Sequence, residues 1–113
     1  MRLDVNNLLQ SYPPIGQTYV FDIGVAQVEQ TYPDADHMHY KVLTGPRAGT
    51  EETVAIEVKS LADGLFLVSW QEADKITVVH VENYRTMTFD SCVTMPDGDF
   101  RRFTSKMWPV TEG

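Results

Sequence analysis

The stretch FLVSWQEADKITVVHVE, residues 66 to 82, contains two alternating apolar runs separated by the polar segment Glu72-Ala73-Asp74-Lys75. Alternate side chains of a strand point to opposite faces. Phe66, Val68, Trp70 and Glu72 therefore share one side, and Leu65, Leu67, Ser69 and Gln71 the other. The row with the large rings is the inward one. Two period-two runs around a short polar break predict a β-hairpin. The inward set of its second strand depends on the turn. A two-residue turn brings Thr77, Val79 and Val81 to the Trp70 face, whereas a three-residue turn brings Ile76, Val78 and His80 there, because a slip of one residue exchanges the faces.

The same texture runs outward from this hairpin. Alternating segments predict strands near 18–22, 24–31, 37–43, 52–60, 64–72, 75–82, 86–94 and 99–108. Asp63-Gly64 and Asp97-Gly98 supply turn residues that tolerate positive φ, while YPDAD and TGPRAG are longer loops broken by Pro and Gly. MPDGDF is the clearest hairpin turn. About eight such strands predict an all-β fold, a closed antiparallel barrel whose interior holds side chains or one small ligand. Closure also removes the exposed edges of so apolar a sheet. Residues 1–17 differ: Asp4 is placed to cap a short helix bearing Leu8 and Leu9, and the prolines of YPP end it. The expected organisation is an N-terminal helical or loop lid over 1–17 and one barrel domain over 18–110, since 113 residues provide for a single core.

Sixteen acidic against nine basic residues give a net charge of −7, and Arg101-Arg102 is the only adjacent basic pair. Phosphate-backbone binding needs clustered Lys and Arg, so no nucleic-acid partner is expected. Cys92 is the single cysteine, which rules out a disulfide within the chain. No run approaches the roughly 18 apolar residues of a membrane helix, and the N-terminus carries no apolar signal core. A cytoplasmic protein with no membrane partner is the expectation, with a homodimer through one barrel wall conceivable for so small a domain.

Glu72 ends the aromatic row. Held inside, it would be desolvated, its pKa would rise, and it would serve as an acid or base near neutrality. The competing reading is a rim carboxylate beside the turn, paired with Lys75, because charged residues are almost never fully buried. Tyr19 and Phe21 place two rings one step apart on a barrel wall, which suits a planar ligand or simple core filling. His37 and His39 flank an inward row of Met38, Tyr40 and Val42. With His80 they make three histidines but no complete ligand set, so no metal is expected. Ser69 and Ser91 stand in no legible triad, and no Gly-rich phosphate loop is present.

The segments TYVFDIG, HYKVLTGPRAGTEETVAIEV and GLFLVSWQEADKITVVHVE together resemble the phenolic acid decarboxylases and the related MoaF-like proteins, small calycin-type barrels similar to lipocalins. The resemblance covers roughly residues 18 to 90, and FDSCVTMPDGDFRRF looks more like the MoaF-like group. The decarboxylases use no cofactor. The resemblance implies proton transfer by a glutamate that Glu72 matches, with two tyrosines and a loop arginine for the substrate. Tyr19 matches the first tyrosine. Phe21 stands in place of the second, and Thr50 in place of the arginine, with Arg47 three residues earlier. A Phe donates no hydrogen bond and a Thr cannot form the bidentate pair of an arginine.

The combined expectation is a cavity lined by Tyr19, Phe21, Tyr40, Phe66, Trp70 and Met87, with Glu72 as its polar focus and Arg47, Thr50 and His80 as further ligand contacts. The leading function is binding of a small aromatic or polyketide-like molecule, extending to cofactor-free lyase or isomerase chemistry with Glu72 and Tyr19 as catalytic residues. A non-catalytic lipocalin-like carrier and a solid-core interaction subunit are the alternatives.

Overall fold

The computed structural model describes residues 15–110. Nine strands run in these bounds: β1 (Thr18–Asp22), β2 (Gln27–Asp34), β3 (His37–Val42), β4 (Glu51–Ala55), β5 (Glu57–Ala62), β6 (Leu65–Gln71), β7 (Thr77–Asn83), β8 (Thr88–Thr94) and β9 (Phe100–Pro109). They form one antiparallel sheet in the order β4-β3-β2-β1-β9-β8-β7-β6-β5. The sheet curls into a nearly closed barrel. β9 holds it together, pairing with β8 through Phe100–Lys106 and with β1 through Met107–Pro109.

The expected strand 52–60 is two strands. Ile56 lies between β4 and β5, its side chain buried and its N–H donating to the Asp36 carbonyl at 2.8 Å. The chain turns a corner here and passes directly from one end of the sheet to the other, so β4 comes to lie against β6 across the seam. A second irregularity falls at Pro33, where the β2–β3 register shifts between Thr31 and Asp34. Proline has no N–H for the ladder, and the bulge accommodates it.

No helix occurs among the described residues, and none there is long and apolar enough to cross a membrane. The helical part of the expected lid, residues 1–14, lies outside the described residues. Residues 15–17 lead into β1 through a turn in which the Gly16 N–H donates to the Tyr32 carbonyl at 2.8 Å.

The decisive hairpin forms as the alternation requires. Phe66, Val68 and Trp70 are buried, while Leu65, Leu67 and Ser69 are only half-buried and Gln71 is exposed. The turn is the three-residue one. Glu72 N–H meets the Ile76 carbonyl and Lys75 N–H meets the Glu72 carbonyl, each at 2.8 Å, with Lys75 at φ 77. A type I turn closed by a left-handed residue is the usual three-residue hairpin. It sets Trp70 opposite Val78, Val68 opposite His80 and Phe66 opposite Glu82.

Two apolar clusters fill the barrel. The larger includes Met38, Tyr40, Val68, Trp70 and Val78; the smaller joins Tyr19, Phe21, Phe89 and Met107. Each large apolar side chain buried in this way contributes about 1.5–3 kcal/mol.

Candidate functional site

Inward residues of β6 to β9 form rungs across the sheet. The uppermost runs Trp70, Val78, Val93, Arg101; the next runs Val68, His80, Ser91, Phe103; the third runs Phe66, Glu82, Phe89, Ser105. Between the first two rungs and the facing wall of β2 and β3 lies a cavity of about 470 Å³. Its walls are mainly apolar, and its mouth lies among the β1–β2, β3–β4, β6–β7 and β8–β9 turns, with Val25, Pro46 and Arg47 on the rim. Gly45, at φ +91, lets two of these turns meet: a Cβ there would lie 2.6 Å from the Val25 carbonyl oxygen.

The cavity floor is polar. Gln30, His80 and Ser91 line it, each buried to 3% exposure or less. His80 is fixed on several sides. Its ring stacks on Phe21 at 5.5 Å and meets Trp70 and Phe89 at 4.9 Å each. Its Nδ1 lies 2.9 Å from Oε2 of Glu82, a residue with no exposed surface. The other Glu82 oxygen accepts from the Tyr84 hydroxyl at 2.7 Å and lies 3.3 Å from the Tyr32 hydroxyl, which is equally close to Gln30 Oε1. Glu82 is thus the hub of a buried network beneath the cavity. Ser91 Oγ, by contrast, is buried without a hydrogen-bond partner.

Glu72 stands at the mouth, half-buried, with its Oε2 accepting from the Trp70 indole N–H at 3.4 Å. Burial raises its pKa above the ordinary value. The indole contact and Arg47 oppose the rise, and the charges of Asp74 and Glu52 add to it. Its turn is clamped by Glu52, which accepts from the Ala73 N–H at 2.9 Å and from the Tyr40 hydroxyl at 2.8 Å. Burial and that bond to Glu52 push the Tyr40 hydroxyl pKa far up. Arg47 spans the rim to Asp74 at 3.6 Å, an exposed and therefore weak pair.

The sign of the Glu72 effect on stability follows from linkage. A carboxyl whose folded pKa is raised binds its proton more tightly in the native state, so stability falls as pH rises from the ordinary value of 4.5 through the folded pKa. Glu72→Gln removes this loss. The variant is expected to be more stable than the parent at pH 7, with the difference closing below about pH 4. Urea unfolding across that range measures it, and an identical pH profile for both proteins would place Glu72 in solvent.

Of the residues singled out from sequence, Tyr40, Arg47, Trp70, Glu72 and His80 come together around the cavity. Five others lie elsewhere. Phe21 is fully buried behind His80, and Tyr19 packs edge-on against Tyr84 with burial raising its hydroxyl pKa. Phe66 lies two residues below the floor rung and also meets Tyr84. Met87 occupies the β7–β8 turn at φ 57 and packs on the smaller cluster. Thr50 closes the β3–β4 loop, its N–H bonded to the Arg47 carbonyl at 3.1 Å. Parity predicted that Tyr19 and Phe21 point inward, but the cavity occupies only the other end of the barrel.

Gln30 and Glu82 were not singled out from the sequence, and Ser91 was weighed only as a triad serine. Glu82 shares parity with Val78 and His80, which was the available signal. His37 and His39 lie on the outer face, against Asp34 at 2.9 Å and Glu51 at 3.0 Å. Among the described residues no group of three or more His, Cys, Asp or Glu side chains is placed to hold a metal.

Comparison with known proteins agrees with this architecture. A crystal structure from Burkholderia vietnamiensis, provisionally described as a beta-lactamase, matches with a TM-score of 0.81 and 29% identity, over 87% of this chain and 96% of that chain. No curated protein matches the chain. The family model described as MoaF-like matches residues 15–107, which takes in the cavity, its floor and the Glu72 hairpin, and the chain belongs to the MoaF-like family.

Proposed function

We propose that this barrel binds a small, largely apolar, aromatic molecule in the cavity among Tyr40, Trp70 and Val78. One observation carries the reading: a space of about 470 Å³ with apolar walls and a few polar groups at fixed positions, which is the size and make-up of small-molecule sites. A solid-core interaction subunit would have no such space. Cofactor-free acid–base chemistry, of lyase or isomerase type, is the sharper form of the proposal. It is favoured by the raised pKa of Glu72 beside the Trp70 indole. A carrier would use the same cavity without turnover. A serine-nucleophile reading, suggested by the description of the Burkholderia protein, would fall on Ser91, whose Oγ has no hydrogen bond to His80 or any other base.

Thermal shift against a panel of small phenols and naphthols tests binding. A ligand at 100 times its Kd stabilises by about 2.7 kcal/mol, a rise of roughly 10 °C for a chain of this size. No shift from any member would count against the cavity as a ligand site. Incubating each hit with the protein then separates turnover from carriage.

Simple hydroxycinnamates are expected to be poor substrates. Each missing charge-assisted hydrogen bond to the carboxylate costs about 1.5–3 kcal/mol, and the cavity floor of Gln30, His80 and Ser91 offers neither a tyrosine nor an arginine to make one, which lowers the rate several hundredfold or more. Because neither Phe21 nor Thr50 lines the cavity, Phe21→Tyr with Thr50→Arg is expected to restore nothing. Spectrophotometric loss of coumaric or ferulic acid is the assay. Rapid loss with the wild type would mean that Arg47 at the rim holds the carboxylate.

A further inference from the structure

The floor offers three polar groups to a ligand. The Oε1 of Gln30 faces the Tyr32 hydroxyl at 3.3 Å, which leaves its NH2 as a donor. His80 Nδ1 lies 2.9 Å from Glu82 Oε2, and a neutral ring that donates there leaves Nε2 as the nitrogen that accepts. Ser91 Oγ can do either, and among the described residues it is the one buried side-chain polar atom with no partner. An unmade hydrogen bond on a buried group is costly, and Ser91 is a lining residue of the cavity, so a rotation of its hydroxyl toward the ligand can make the missing bond.

The set of groups also selects the ligand's charge. The acid at the floor is Glu82, one bond behind His80, whereas the cavity's arginines, Arg47 and Arg101, are exposed at the mouth. A carboxylate pressed to the floor would face a buried acid with no arginine or lysine among the floor groups. A neutral hydroxyl fits: it donates to His80 Nε2 and accepts from Ser91 or Gln30.

We propose that Gln30, His80 and Ser91 form the specificity-determining site for a neutral hydroxyl, phenolic or enolic, carried at the buried end of the ligand's apolar body. This rests on the cavity being the ligand site. Calorimetric titration with three probes tests it: 2-naphthol, 2-methoxynaphthalene and 2-naphthoate. The wild type is expected to bind 2-naphthol about tenfold more tightly than its methyl ether, the yield of one or two neutral hydrogen bonds, and 2-naphthoate most weakly. Ser91→Ala removes a hydroxyl that bonds to no other residue, so the fold keeps every hydrogen bond. Because the ether's methyl group holds its oxygen away from the floor, Ser91→Ala is expected to cut the preference for 2-naphthol to about threefold or less while changing the ether's affinity little, and Gln30→Leu is expected to act in the same direction. Equal affinities for naphthol and ether, a preference unchanged in Ser91→Ala, or tightest binding of 2-naphthoate would each overturn the floor assignment while leaving the cavity as the binding site. Failure of all three probes to bind would overturn both.

Discussion

Glu82→Ala is expected to lower the stability of the barrel by about 3–5 kcal/mol, the usual cost of removing one partner from a buried charged or hydrogen-bonded pair. For a chain of this size that is a fall of roughly 12 to 20 °C in Tm. The carboxylate has no exposed surface and joins His80, Tyr84 and Tyr32, residues drawn from β2, β7 and the segment after β7. Removing it takes one partner from the buried His80 and Tyr32 and from the half-buried Tyr84, and opens a void beside Phe89. Glu82→Gln keeps the side-chain shape and an acceptor for the Tyr84 hydroxyl, so it is expected to cost clearly less. The double change His80→Phe with Glu82→Leu should recover part of the loss, because replacing both partners by apolar groups leaves no orphan between them. Thermal and urea unfolding of the four proteins give the ordering. A loss below about 1 kcal/mol for Glu82→Ala would show that the network is not a structural hub.

Val93→Trp is expected to abolish ligand binding, with a loss of at least about a hundredfold, while the barrel stays folded. Val93 sits on the uppermost rung between Val78 and Arg101 and lines the cavity. Extra volume in a packed core costs about 1–3 kcal/mol because neighbours must move. Here the indole has about 470 Å³ of space to enter, so the expected stability change is near zero. The ligand then loses its apolar contact area, which is its main source of affinity at about 25 cal/mol per Å². Titration of 2-naphthol into the variant reads the effect. Unchanged affinity in a folded Val93→Trp protein would place the ligand outside the cavity.

Much of this was legible in residues 66–82. Alternation set Trp70 inside and predicted a hairpin, because a half-buried strand must segregate its side chains by parity. Parity alone left His80 undecided, since the answer turned on Lys75 adopting a left-handed conformation that a lysine does not announce. The corner at Ile56 was hidden for a related reason. Val54, Ile56 and Val58 keep their alternation straight through it, so the sequence reads as one strand where the chain changes sheet ends. Glu82 was overlooked because a lone glutamate is rarely buried without partners, and its partner Tyr32 is 50 residues away. Glu72 was found because its aromatic row and its place in the turn are local features. The depth of Tyr19, Phe21 and Phe66 along the barrel axis was not legible, because parity specifies a face and not a level.

The central claim is that a small aromatic molecule enters the cavity and reaches its floor. The chain has two tryptophans: Trp70 in the cavity wall, and Trp108 on β9 opposite Val20, away from the cavity lining. Their indole N–H signals in a proton–nitrogen correlation spectrum therefore make an internal comparison. On titration with 2-naphthol the Trp70 signal should move to saturation together with the backbone amides of Val78, His80 and Ser91, while the Trp108 signal stays in place. A stationary Trp70 signal at saturating ligand, or shifts confined to Trp108 and the outer faces of the strands, would contradict the account.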